Sequence, residues 1–130
     1  MTKSLKLVKI KKSDKPEKKL MAVFLIDNVK TKTVYFGQAG ARDFTLINKK
    51  SSKFYLPKSL DRNVVKESYI RRHTANEDWT NPLTAGALSR FVLWDKRSLD
   101  SSIKALKSDL NFNMIRKSWQ MPLVVLVMFQ

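Results

Sequence analysis

The chain has 130 residues, with 26 lysines and arginines against 11 aspartates and glutamates, and no cysteine. That length is one domain's worth and buries most of its apolar surface without covalent staples; the missing thiols exclude disulfides, thiolate metal sites and cysteine nucleophiles. A net charge of +15 repels itself and points to a negatively charged partner: nucleic acid, an anionic membrane surface or an acidic protein.

The N-terminus, "MTKSLKLVKIKK", is basic, but lysines interrupt its apolar positions, so it has no continuous core of a secretory signal. No run approaches the roughly 20 apolar residues that span a bilayer. Residues 3–10 predict a weak edge strand, where lysines discourage unwanted pairing. Residues 11–19, "KKSDKPEKK", read as a charged loop, so residues 1–19 together form a basic N-terminal arm. The single small domain is expected over 20–110, and a connector with an apolar tail over 111–130.

"LMAVFLI", residues 20–26, is apolar on both faces and predicts a buried strand; "TVYFG", residues 33–37, predicts its hairpin partner across a connection of four to six residues. The glycines of "GQAGARDFTLI" read as turn glycines with positive φ, leading to a short third strand at 44–47. A helix is predicted over about 60–74, capped by Ser59, with Asp61 in its first turn and Val65, Tyr69 and Ile70 on its apolar face. Asn81 and Pro82 predict the start of a second helix, about 82–94. Ser98 predicts a cap for a third, about 99–110, whose Leu99, Ile103, Leu106 and Leu110 form an amphipathic stripe. The final "PLVVLVMF" has the β-branched richness of a strand. Strands first, helices second and a strand-like tail last give an α+β pattern: an N-terminal antiparallel hairpin, three short helices and an apolar C-terminal tail.

The densest block is "RRHTANEDWTNPLTAGALSRFVLW", residues 71–94, which holds His73, the chain's only histidine. With Glu77 and Asp78 alone it makes a weak metal site, and neither a Gly-x-Ser-x-Gly elbow nor a phosphate-loop spacing appears. His73 reads better as a helix-terminal residue that favours the negative end of the dipole. Leu88, Phe91 and Trp94 fall on one helical face and are expected in the core, with Trp79 as a plug over the helix junction. No motif for base readout is present. The basic residues Lys11, Lys12, Lys18, Lys19, Arg71 and Arg72 are the candidates for anion contacts without sequence preference. No catalytic residue, metal, cofactor or small-molecule substrate is expected.

Two stretches, "VYFGQAGARDFTL" and "YIRRHTANEDWTNPLTAGALSRFVLWDKRSLDSSI", carry an ordered pattern from Val34 to Ile103. It resembles a family of small basic proteins encoded by giant and other large double-stranded DNA viruses. In that family an "FG-x-x-G-x-x-DFT" stretch precedes a "YIxRH-x-x-NE-x-W-x-x-P-x-TAG-x-LSR-x-x-LW" block and a "TL-x-x-SI" helix; Ser98 stands here for the usual threonine. The resemblance implies a virion component made in the host cytoplasm, with no catalytic role. The expected function is a minor capsid or inner-virion protein that cements coat proteins or links them to membrane or genome. The alternative is a sequence-nonspecific nucleic-acid-binding protein that condenses viral DNA. Expected partners are other viral coat proteins, with DNA or anionic lipid head groups beneath them. The tail "MPLVVLVMFQ" has three possible fates: a strand of its own sheet, a strand donated to a neighbour, or a membrane-surface contact.

Overall fold

The computed structural model describes residues 4–111. The strand-like apolar tail expected near the C-terminus lies outside the described residues. Three antiparallel strands form a meander: β1 (Leu5–Lys12), β2 (Lys18–Ile26) and β3 (Lys30–Gln38), in that spatial order. Helical segments follow, and the fold is α+β, with the strands preceding the helices.

Side-chain alternation sorts the sheet into two faces. Leu7, Ala22, Phe24, Val34 and Phe36 point into the core under the helices, and Ala22, Phe24 and Phe36 are fully buried. β1 is the edge strand that the N-terminal lysines anticipate, yet it belongs to the fold. Leu7 is 5% exposed and pairs with Phe24. The stretch read as an arm therefore supplies a core strand, and the charged loop shrinks to residues 13–17.

The β2–β3 connection is tighter than predicted. Asp27 and Asn28 both take positive φ (52° and 59°), the backbone of the tight turns that match strand twist. Asp27 also accepts a hydrogen bond from the Ser4 amide at 2.8 Å, tying the start of β1 to this turn.

Residues 44–47 are not a strand. They form one helical turn, α1 (Phe44–Ile47), because Asp43 caps it by accepting from the Leu46 amide. Phe44 and Ile47 are three apart and both buried, a spacing that puts them on one face of a helical turn but would put them on opposite faces of a strand. The first long helix, α2 (Ser59–Thr74), has Asp61 in its first turn and buries Tyr69 and Ile70, as predicted; its N-cap is Lys58 without a side-chain bond, so Ser59 is not the cap.

The predicted helix over 82–94 starts later and changes pitch. The Asn81 side chain accepts from the Leu83 amide in a local turn, and Thr84 caps α3 (Ala85–Leu88) by accepting from the Ala87 amide. The chain then widens into a π-helical segment, Ser89–Leu93, closed by the Trp94 amide donating to the Ser89 carbonyl at 3.1 Å. The wider turn shifts which side chains face inward. Leu88 (1% exposed) and Trp94 (7%) are core as expected, joined by Val92 and Leu93, while Phe91 is only half-buried. Trp79 is buried and meets Phe91 edge-on at 6.4 Å between ring centroids, a plug over the helix junction as predicted.

The last helix, α4 (Leu99–Asn111), keeps its predicted stripe: Leu106 and Leu110 are buried and Leu99 and Ile103 pack beside them. Ser98 accepts from the Ser101 amide, the predicted capping contact. α4 leans on β1 and on the π segment, so every helix lies on one side of the sheet.

Candidate anion-binding cleft

Where the ends of β2 and β3 meet α2 and α3, the packing leaves a cleft of about 430 Å³. Three separate parts of the sequence build its walls. Lys18, Lys19, Gly37 and Gln38 come from the sheet, Arg42 and Asp43 from the turn before α1. Tyr69, Arg72 and His73 come from the end of α2, Glu77 from the loop after it, and Gly86, Ser89 and Trp94 from α3, the π segment and the residue that caps it. The two stretches that carry the sequence pattern thus converge on one place.

Two of the glycines here have physical reasons. A Cβ on Gly37 would come within 2.8 Å of a Leu93 methyl, and its φ of +80° is left-handed. A Cβ on Gly86 would sit 3.0–3.2 Å from the Glu77 carboxylate. Gly86 is what lets that carboxylate lie against α3.

The carboxylates of the cleft are already engaged. Asp43, 2% exposed, accepts from Lys19 Nζ at 2.6 Å, from the Thr45 hydroxyl at 2.5 Å and from the Leu46 amide at 3.1 Å. Glu77 lies 3.0 Å from His73 Nδ1 through one oxygen and accepts from Trp79 Nε1 at 2.8 Å through the other. This closes the loop after α2: Glu77 bridges the last turn of the helix to the tryptophan plug. His73 stacks on Tyr69, and Tyr69 stacks on Trp94 with ring planes 5° apart, both at 4.2 Å. The aromatic pile is thus closed on both faces of Tyr69. Burial, reinforced by the nearby Glu77 carboxylate, pushes the Tyr69 phenol well above its usual range. Among the described residues the Tyr69 hydroxyl makes no hydrogen bond to protein.

The cations sort differently. Lys18, Arg42 and Arg72 have no carboxylate partner among the described residues. Arg90 is no part of this set: it is 6% exposed, donates to the Trp94 carbonyl at 3.0 Å, lies 3.7 Å from Asp95 and stacks over Phe91 and Trp79. Burial draws its pKa below the usual arginine range, with Asp95 opposing that shift.

Of the six cations singled out in the sequence, Lys18, Lys19 and Arg72 line the cleft, while Lys11, Lys12 and Arg71 do not. Lys19 is there as the buried partner of Asp43, so its anion is internal. Lys11 and Lys12 point to opposite faces of β1, opposite Met21 and Leu20 respectively. Sequence reasoning missed Arg42, the Glu77 clamp and the phenol of Tyr69; the signal for them was their place in the two patterned stretches.

Residues 8–51 match a family of unknown function (DUF5754). No curated protein and no solved structure matches the chain. The matched stretch contributes the sheet wall of the cleft and Arg42 with Asp43. Chemically, a histidine oriented by a carboxylate is suited to proton transfer. Among the described residues no hydroxyl is hydrogen-bonded to it, and no group of three or more metal-ligating side chains occurs. What the cleft offers is an excess of cationic donors around a closed aromatic pile.

Proposed function

We propose that this chain is a non-enzymatic structural protein of a large DNA virus particle that holds the genome by its phosphates without reading sequence. The observation that supports the phosphate contact is the open face of the sheet. A β-bulge at Val8, between Leu7 and Lys9, shifts the register of β1. Lys6, Lys9 and Lys11 then sit opposite Leu25, Val23 and Met21, all on the face turned away from the helices. Without the extra residue, lysines three apart would point to opposite faces. The row is exposed and has no carboxylate partner, and Lys15 extends it by lying over the Tyr35 ring at 4.2 Å. The charge balance supports the same reading. Of the 23 lysines and arginines within residues 4–111, three stand in carboxylate ion pairs and 20 do not. Such cations neutralise phosphates and release the counterions condensed on a polyanion, which favours binding at low salt.

The test is duplex DNA without terminal phosphates, titrated across a salt series with the protein and with the triple variant Lys6→Gln, Lys9→Gln, Lys11→Gln. Each lost phosphate contact lowers the slope of log affinity against log salt by about 0.9, so a fall of roughly 2–3 is expected. Unchanged affinity and slope would remove this face as the contact. Binding to anionic vesicles but not to DNA would move the partner to the membrane.

A further inference from the structure

We propose that the cleft is a binding site for a phosphate monoester, with Lys18, Arg42 and Arg72 gripping the dianion and the Tyr69 and Ser89 hydroxyls completing its hydrogen bonds. This does not rest on the genome-binding reading, whose lysine row faces away from the helices.

Three observations converge. The first is charge. Four cations line the cleft (Lys18, Lys19, Arg42 and Arg72) against two carboxylates, Asp43 and Glu77, a surplus of two. The carboxylates are held by their own donors, so they do not turn toward the space, and the unpaired cations come from the sheet, the pre-α1 turn and α2. A phosphate monoester carries about −1.5 to −2 near neutral pH, which matches that surplus better than the single charge of a diester. Arginine forks suit its oxygens, and two of the three free cations are arginines.

The second observation is Tyr69. It is 6% exposed and lines the cleft, yet its hydroxyl has no protein hydrogen bond among the described residues. Buried tyrosine hydroxyls normally find a partner, and a phosphate oxygen accepts such a proton well. The third is size. About 430 Å³ exceeds what a bare phosphate fills and lies within the range of small-molecule sites, leaving room for a sugar or similar body. Both faces of Tyr69 are covered, so the body of the ligand is not stacked on that ring.

The experiment is calorimetric titration of the full chain with adenosine 5′-monophosphate, inorganic phosphate and adenosine. Saturable binding of the first two and none of the third is expected. The double variant Arg42→Gln, Arg72→Gln should bind the monophosphate at least about tenfold more weakly. Both arginines are exposed, so the variant's melting temperature should match the wild type. Tyr69→Phe should weaken binding severalfold while leaving the ligand-free fold as stable as before. An oligonucleotide with a 5′-phosphate should compete with the monophosphate, and the same strand with a 5′-hydroxyl should not. The salt slope for the duplex without terminal phosphates should fall far less in Arg42→Gln, Arg72→Gln than in the triple lysine variant, while monophosphate binding falls only in the arginine variant, so this site and the lysine row fail separately. Equal binding of adenosine, equal competition by both strands, or wild-type affinity in the double arginine variant overturns the proposal.

Discussion

Lys19 and Lys11 are the same residue type eight positions apart, and they do opposite things. The Lys19 side chain is 15% exposed and bonded to an Asp43 carboxylate that is 3% exposed. Removing one partner of such a pair leaves an uncompensated buried charge, a loss of about 3–5 kcal/mol. Lys19→Ala should therefore lower the denaturation midpoint strongly, whereas Lys11→Gln, on an exposed edge, should leave it unchanged; equal midpoints for the two variants would refute the internal role of Lys19. Trp94 is the other residue on which the core depends. It is 7% exposed, stacked on Tyr69, and its carbonyl accepts the buried Arg90 guanidinium. Trp94→Ala should cost about 3–5 kcal/mol in chemical denaturation, the usual loss for a buried large aromatic. A midpoint indistinguishable from wild type would mean that the stack contributes nothing to stability.

The elements around the cleft are short, and backbone geometry rather than propensity shapes them. α1 and α3 have four residues each, too few to stand alone as helices, and each is held by a capping side chain and by burial. The π segment lets Val92 and Leu93 both reach the core, and Leu93 then presses on Gly37 of β3. Gly37 and Gly40 share nearly the same left-handed φ, +80° and +82°, but no atom lies within 4 Å of a Cβ at Gly40. Gly40→Ala should thus cost only the backbone penalty of about 1–2 kcal/mol. Gly37→Ala should cost clearly more, because Leu93 must move as well. Thermal melts of the two variants make the comparison, and equal losses would show that the β3–π contact is not tight.

At the scale of the whole molecule the surplus of positive charge acts on stability and binding in opposite directions. Self-repulsion among cations that lack carboxylate partners is screened by salt, so the melting temperature of the free protein should rise between low and moderate ionic strength. DNA affinity should fall over the same range. A melting temperature that drops as salt is added would mean that ion pairs, not repulsion, dominate the surface.

The sequence by itself determined the hairpin of β2 and β3, the two long helices and the sign of the net charge. The continuous apolar run "LMAVFLI", the leucine stripe of α4 and the surplus of 15 positive charges are local or additive properties. It also marked Leu88, Phe91 and Trp94 as core from their shared helical face, of which Phe91 is only half-buried, and Trp79 as a plug over the helix junction. Only the tertiary structure decided the rest. Whether residues 44–47 coil or extend depended on Asp43 finding the Leu46 amide and Lys19. Whether Lys6, Lys9 and Lys11 share a face depended on one bulged residue, since an extra residue inverts every side chain after it. Arg42, Arg72 and Lys18 meet because a sheet end, a turn and a helix terminus pack together, and no sequence spacing encodes a contact made across three elements.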